Sequence, residues 1–184
     1  MKTKNIINNL KSILLCSAIL ISTITNAQYS SKNKRMITDS RTAINAFIKT
    51  DADMKKLFDN SYAYVVFPNV GKGGLGVGGA FGNGIVFQKK ATIGTAKLSQ
   101  VSIGLQAGGQ GYREVIFFEN KTNFDNFKEN HLKFSAQISA VIAASGAAAN
   151  ASYAEGILIF AQPKGGLMYE ISIGGQTFNY EEFK

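Results

Sequence analysis

In RMITDSRTAINAFIK, residues 35–49, the apolar residues Ile37, Ile44, Phe47 and Ile48 fall at offsets 0, 7, 10 and 11. That spacing gathers them on one face of a helix. ADMKKLFDN, residues 52–60, predicts a second and shorter helix. Met54, Leu57 and Phe58 would turn inward, and Asp51 stands where an N-cap is wanted. From Tyr62 the helical period fades and Gly, Val, Ile, Phe and Ala dominate. YAYVVF, residues 62–67, reads as a strand. LGVGGAFGNGIVF, residues 75–87, places Leu75, Val77, Gly79 and Phe81 on one strand face. Gly82-Asn83-Gly84 then predicts a tight hairpin turn, because Asn and Gly tolerate positive φ.

LSQVSIGLQAGGQ (98–110) and YREVIFFEN (112–120) predict two further strands. TNFDNFKEN (122–130) predicts a short helix with Thr122 as cap and Phe124 and Phe127 inward. FSAQISAVIAASGAAANAS (134–152) pulls both ways. Its alanines favour helix, yet Ile138, Ala140, Ile142 and Ala144 alternate with their neighbours, and the strand reading is adopted. GILIFAQ and GGLMYEISIGG close the chain as strands, with NYEEF as a small terminal element. Lys72-Gly73-Gly74-Leu75 and Lys164-Gly165-Gly166-Leu167 each follow an apolar run with a proline. This echo suggests two similar strand-turn-strand units, too few for a solenoid.

The first 27 residues have a different texture. Lys2, Lys4 and Lys11 precede an apolar run, Ser12 to Ile24, and Thr25-Asn26-Ala27 ends it with small residues. This pattern predicts a secretory leader cleaved after Ala27. The run is short of the roughly 20 residues a bilayer span needs. The single cysteine, Cys16, lies inside the leader, so the exported part would carry none. Residues 28–35, QYSSKNKR, read as a loose basic segment, and residues 36–184 as one domain. Such a length builds a core without disulfide staples.

Gly74-x-Gly76-x-x-Gly79 has the spacing of a dinucleotide loop. That loop needs a helix after its glycines to hold the pyrophosphate. AFGNGIVF follows instead, and no Walker motif is present, so nucleotide binding is set aside. The glycines fit bulges, tight bends and close backbone approach within strands. They imply a strongly curved, mostly antiparallel sheet or a partly closed barrel. Other chemistry is thin. His131 is the sole histidine, which argues against zinc. Gly-x-Ser-x-Gly is absent, and Ser31-x-x-Lys34 lies in a polar tail. Glu181-Glu182 read as solvated, and Tyr112-Arg113-Glu114 as either a polar cluster or, equally, alternating strand positions. No catalytic residue, cofactor or metal ligand is assigned.

Charge changes the picture more. The chain holds 20 basic and 12 acidic residues. An exported basic protein meets little nucleic acid, so anionic headgroups, polysaccharides or acidic proteins are the expected partners. Lys32, Lys34, Arg35, Arg41, Lys49, Lys55 and Lys56 crowd the helical region against Asp39, Asp51 and Asp53, and Lys89-Lys90 form a further pair. A basic side chain near an anionic membrane contributes about 1 kcal/mol, and four net charges give roughly millimolar affinity. Firm binding then needs inserted apolar groups at about 1.5–3 kcal/mol each. Ile37, Ile44, Phe47 and Ile48 are the candidates if they are not committed to the core.

AYVVFPNVGKGGLGVGGAFGNGIVF resembles the opening of the SYLF domain, a lipid-binding family. Phe67, Pro68, Lys72, Gly74, Gly76, Gly78, Gly79, Gly82 and Gly84 carry the likeness. Gly104, Gln106, Gly108 and Gln110 fit a second block, and AEGILIFAQPKGGLMYEISIGGQTF a third. Ala161-Gln162-Pro163 departs from a serine-rich lead, and the acidic residue near the last strand is displaced. The resemblance implies phospholipid binding in general, without a headgroup and without catalytic residues. The expectation is an α+β domain with N-terminal helices packed on a glycine-rich curved sheet. It would bind the phospholipid surface of a cell envelope through Lys32, Lys34, Arg35, Arg41, Lys55, Lys56, Lys89 and Lys90, with Ile44, Phe47 and Ile48 inserting. The alternative is a periplasmic scaffold for an envelope protein or the cell wall. Lys72 is expected to cap a turn, or else to meet a headgroup.

Overall fold

The computed structural model describes residues 31–104, 109–130, 132, 140–165 and 173–183. The side chains of 74–77, 102–104 and 109–110 are excluded from that description. The predicted leader, His131, residues 133–139 and 166–172 therefore lie outside the described residues. Residues 36–184 form one compact unit, and residues 1–35 are grouped apart from it.

The helix α1 covers residues 31–50, so the described part of the basic segment is helical rather than loose. Its sequence there holds no Gly or Pro to stop it. Ala43 and Phe47 are buried, while Ile37, Ile44 and Ile48 pack at the margin of the same cluster. Asp51 ends the helix, its N–H reaching Phe47 O at 2.9 Å. Its carboxylate accepts from Asp53 N at 3.1 Å and from Ala148 N at 2.7 Å. Asp53, not Asp51, is the N-cap of α2 (Met54–Asn60), and Asp51 instead ties the start of that helix to the start of α4 (Ala147–Asn150). Met54 and Phe58 are buried, as the spacing predicted.

The strands are β1 (Ala63–Gln88), β2 (Ala91–Gly104), β3 (Gly109–Phe118), β4 (Val141–Ile142), β5 (Ile157–Pro163) and β6 (Gln176–Glu182). Among the described residues they form one sheet in the order β4-β5-β3-β1-β2-β6. Only β4 and β5 run parallel. The described part of 134–152 thus divides between strand β4 and helix α4. Helix α3 (Lys121–Lys128) follows β3; Asn120, not Thr122, caps it, accepting from Asn123 N at 3.1 Å. Phe124 and Phe127 are buried, as expected.

Alternation along the strands gives the sheet two buried faces. Tyr64, Val66, Ile85, Phe87, Val115, Phe117, Leu158 and Phe160 meet α1 and α2. Ala63, Val65, Phe67, Ile116, Phe118, Ile157 and Ile159 face the other way and meet α3. Each fully buried large side chain contributes about 1.5–3 kcal/mol relative to exposure. The architecture is the expected α+β class, with helices on a mostly antiparallel, curved sheet.

β1 is 26 residues long and changes partner along its length. Ala63 to Gly73 pair with β3, and Gly76 to Gln88 pair with β2. The strand curls back so that its two halves touch. A Cβ on Gly84 would lie 2.6 Å from Val66 O and 2.8 Å from the Phe67 ring. Gly82-Asn83-Gly84 is therefore mid-strand and not the predicted turn; glycine is needed there for close approach. Pro68 sits in a register shift between Phe67 and Val70, so the first half of the internal echo has no turn either. Lys72 is a buried residue within β1 and not part of a turn. The same curling brings β6 over β3, although β1 and β2 lie between them in the sheet. Gln176 Nε2 donates to Glu114 Oε2 at 2.9 Å, and Phe178 meets Phe67 with ring centroids 6.0 Å apart.

Candidate functional site

The β1–β2 connection is a two-residue loop, because Gln88 and Ala91 are paired. Its residues are Lys89 and Lys90, with φ of 48° and 68°. Two positive φ values in such a loop match the twist of the flanking strands, and Asn-Gly is the sequence that adopts them most readily. Lysine there costs roughly 1–2 kcal/mol per residue, from contact between Cβ and backbone. The turn holds two exposed cations beside the end of α2.

Turn and helix flank a groove of about 360 Å³, lined by Phe58, Asp59, Asn60, Ser61, Tyr62, Tyr64, Lys89 and Lys90. Beneath it lies an aromatic platform. Phe58 meets Tyr64 and Phe117 edge-on at 5.1 and 4.9 Å, and Tyr64 stacks on Phe87 at 5.0 Å. Such packing fixes the groove wall, since offset and edge-on pairs lock ring orientation. Ser61 Oγ and Tyr153 Oη share a hydrogen bond of 2.9 Å at its margin.

Asp59 organises the cations. Lys55 Nζ lies 2.6 Å from its Oδ2 and Lys90 Nζ 2.9 Å from its Oδ1. Hydrogen bonds from Lys55 and then Lys90 hold the Asp59 carboxyl below its ordinary range. Burial pushes the Tyr64 hydroxyl up to about 12, with the charge of Asp59 adding and that of Arg41 opposing. Arg41 is thus near enough to act on the same tyrosine. The structure brings Lys55 and Lys90 to Asp59, with Lys89 lining the same groove. Lys56 pairs with Asp53 at 2.7 Å and projects outward from α2. Lys32, Lys34 and Arg35 are exposed on α1, outside the compact unit that holds the groove.

The apolar half of the expected site fares differently. Phe47 has no exposed surface and sits within the core against the sheet. Its predicted insertion does not hold in this fold, because the helix face carrying it is used for packing. Ile44 and Ile48 are half-buried on that face. The large apolar residues that do stand exposed are Phe81 at 67% and Val101 at 73%, on neighbouring strands. Sequence pattern put Phe81 on a strand face but gave no sign that the face is uncovered.

Two features escaped the sequence. Asp59 stands four residues after Lys55, and that helical spacing was the available signal. Glu114 is wholly buried, and burial pushes its carboxyl up to about 7. Its Oε1, Tyr112 Oη and Gln176 Oε1 are buried with no hydrogen-bond partner among the described residues. Arg113 points the other way, donating to Gln162 Oε1 at 3.1 Å, as strand alternation predicted. Among the described residues no group of three or more His, Cys, Asp or Glu side chains could hold a metal ion. No described helix is long and apolar enough to cross a membrane.

Comparison with known proteins adds to this geometry. A family model described as Ysc84, Las17-binding protein actin regulator, matches residues 99–182. The chain is also similar to Beta cell expansion factor A of Aeromonas veronii, with 27% identity over 155 residues. That match takes in 79% of this chain, which spans 59% of the length of the relative. Strands β3, β5 and β6, helix α3 and the buried Glu114–Gln176 pair fall in the matched region, so over residues 99–182 the chain is similar to the Ysc84, or SYLF, domain family.

Proposed function

We propose that this domain is a non-catalytic, peripheral phospholipid-binding protein of a cell envelope, exported to the periplasm or beyond. The observation that carries the reading is the pairing of Lys55 and Lys90 with a single carboxylate, Asp59, beside Lys89 in the same groove, with the charge of Arg41 felt at Tyr64. One acid among three lysines leaves that groove positive. Positive charge on a fixed aromatic platform attracts anionic headgroups, and the attraction falls off beyond a Debye length of about 8 Å at physiological salt. Lys56 adds to the approach from α2. Ile44 and Ile48, not Phe47, are the helix residues left to enter the headgroup layer. The family is lipid-binding in general, which agrees with this reading.

A scaffold that holds an envelope protein is the second reading. Phe81 and Val101, exposed on a sheet face, favour it. The family description names binding of a protein, Las17, by an actin regulator. Co-sedimentation with vesicles separates the two. Binding to anionic but not neutral vesicles, weakened by salt and by Lys55→Glu with Lys56→Glu, is the expected result. Failure to bind any vesicle at low salt would end the membrane reading.

A further inference from the structure

We infer that the groove between α2 and the β1–β2 turn is a site for a phosphate monoester, clasped between Lys89 and Lys90. The inference deepens the membrane reading and rests on it only for where the phosphate comes from. Three features of the groove converge. First, Lys90 is already aimed by an anion: Asp59 holds it at 2.9 Å, while its side chain stays 67% exposed. Second, Lys89 has no ion pair among the described residues, and its charge stands next in sequence on the same turn. Third, Tyr62 and Tyr64 line the same groove as these cations and the helix end, and the Tyr64 ring is fixed there by Phe58 and Phe87.

Asp59 sets the selectivity. It occupies Lys90 and Lys55 with one negative charge. A phosphodiester also carries one charge, so exchanging it for the carboxylate on Lys90 gains little. A phosphate monoester carries roughly 1.5–2 negative charges near neutral pH and offers three acceptor oxygens. It can take Lys90 from Asp59 and engage Lys89 as well, leaving Asp59 on Lys55. Charge-assisted hydrogen bonds of this kind are the strong ones. The turn chemistry agrees. Asn-Gly would build the same loop with less strain, so lysine at both positions is explained by what the side chains do, not by the fold.

The test uses inorganic phosphate and vesicles. Titrating inorganic phosphate into the protein should shift amide signals of Lys89, Lys90, Tyr62 and Tyr64 and leave α3 unmoved. Vesicles containing phosphatidic acid should bind about tenfold tighter than phosphatidylglycerol vesicles of equal surface charge, through the extra charge-assisted bonds. Lys89→Asn with Lys90→Gly, which keeps the turn, should abolish that preference. Asp59→Asn should raise phosphate affinity by removing the competing anion. Lys121→Gln with Lys128→Gln removes equal charge elsewhere. If it lowers vesicle binding as much as the turn variant does, and phosphate shifts scatter over the surface, the attraction is diffuse and the site is refuted. If no vesicle binds but phosphate still shifts the turn, the membrane reading falls and the site stands for a free phosphate ester. A loss of phosphate binding in Asp59→Asn would overturn the proposed selectivity.

Discussion

Gly82-Asn83-Gly84 and Lys89-Lys90 lie a few residues apart on one strand pair, and they solve opposite problems. At Gly84 the backbone has ordinary extended geometry, but there is no space: Val66 O would be 2.6 Å from a Cβ. At Lys89 and Lys90 the φ values are positive, yet long side chains occupy both positions and extend outward. Folding demands the first residue type and merely tolerates the second. The difference teaches where to look for function. A residue that the fold requires says little about activity, whereas one kept at a cost to the fold points to another use. Glu114 belongs with the lysines, being a buried carboxyl with one oxygen unpartnered among the described residues.

Three variants would break or sharpen that contrast. The largest effect is expected at the demanded position. Gly84→Ala forces a methyl group against a carbonyl oxygen and the Phe67 ring, costing roughly 3 kcal/mol by overpacking. A denaturant titration that finds under about 1 kcal/mol would mean the two halves of β1 part easily.

Glu114 comes next, through pH. Its carboxyl titrates at about 7 in the fold against an ordinary 4.5, since burial disfavours the charge. The folded state therefore holds the proton more tightly than the unfolded chain. The associated stability is complete below pH 4.5, declines as pH rises through 7, and is then gone. The swing amounts to about 3 kcal/mol. Glu114→Gln keeps the size and removes the charge, so its stability relative to the parent should rise across that window. Thermal melts at pH 5 and pH 8 check this, and a constant difference between the two proteins would count against a raised carboxyl. The smallest effect is a gain. Lys89→Asn with Lys90→Gly relieves the positive-φ strain and should stabilise the fold by about 1–2 kcal/mol.

Much of this architecture was legible in the chain. Helical offsets located α1 and the inward faces of α2 and α3, and alternation located β3 and β5. The hairpin turn was misplaced because Gly82-Asn83-Gly84 is good turn chemistry locally. Only contacts between residues 66 and 84 show why glycine is needed in an extended strand, and such contacts leave no local pattern. Lys55, Lys89 and Lys90 stand out in the sequence as charge, but Asp59, which pairs with Lys55 and Lys90, does not. Phe47 was assigned to the membrane because an amphipathic face looks the same whether it covers a sheet or a bilayer. Tertiary packing against Tyr64 and Phe117 decided for the sheet.

The central claim is that the cationic end of the sheet is kept for an anionic surface and not for folding. Measuring stability and anionic-vesicle affinity together in Lys89→Asn with Lys90→Gly tests it most directly. The account predicts that the two move apart, with a higher melting temperature and weaker binding than the parent protein. Equal vesicle affinity in variant and parent, or a fall in stability, would contradict it.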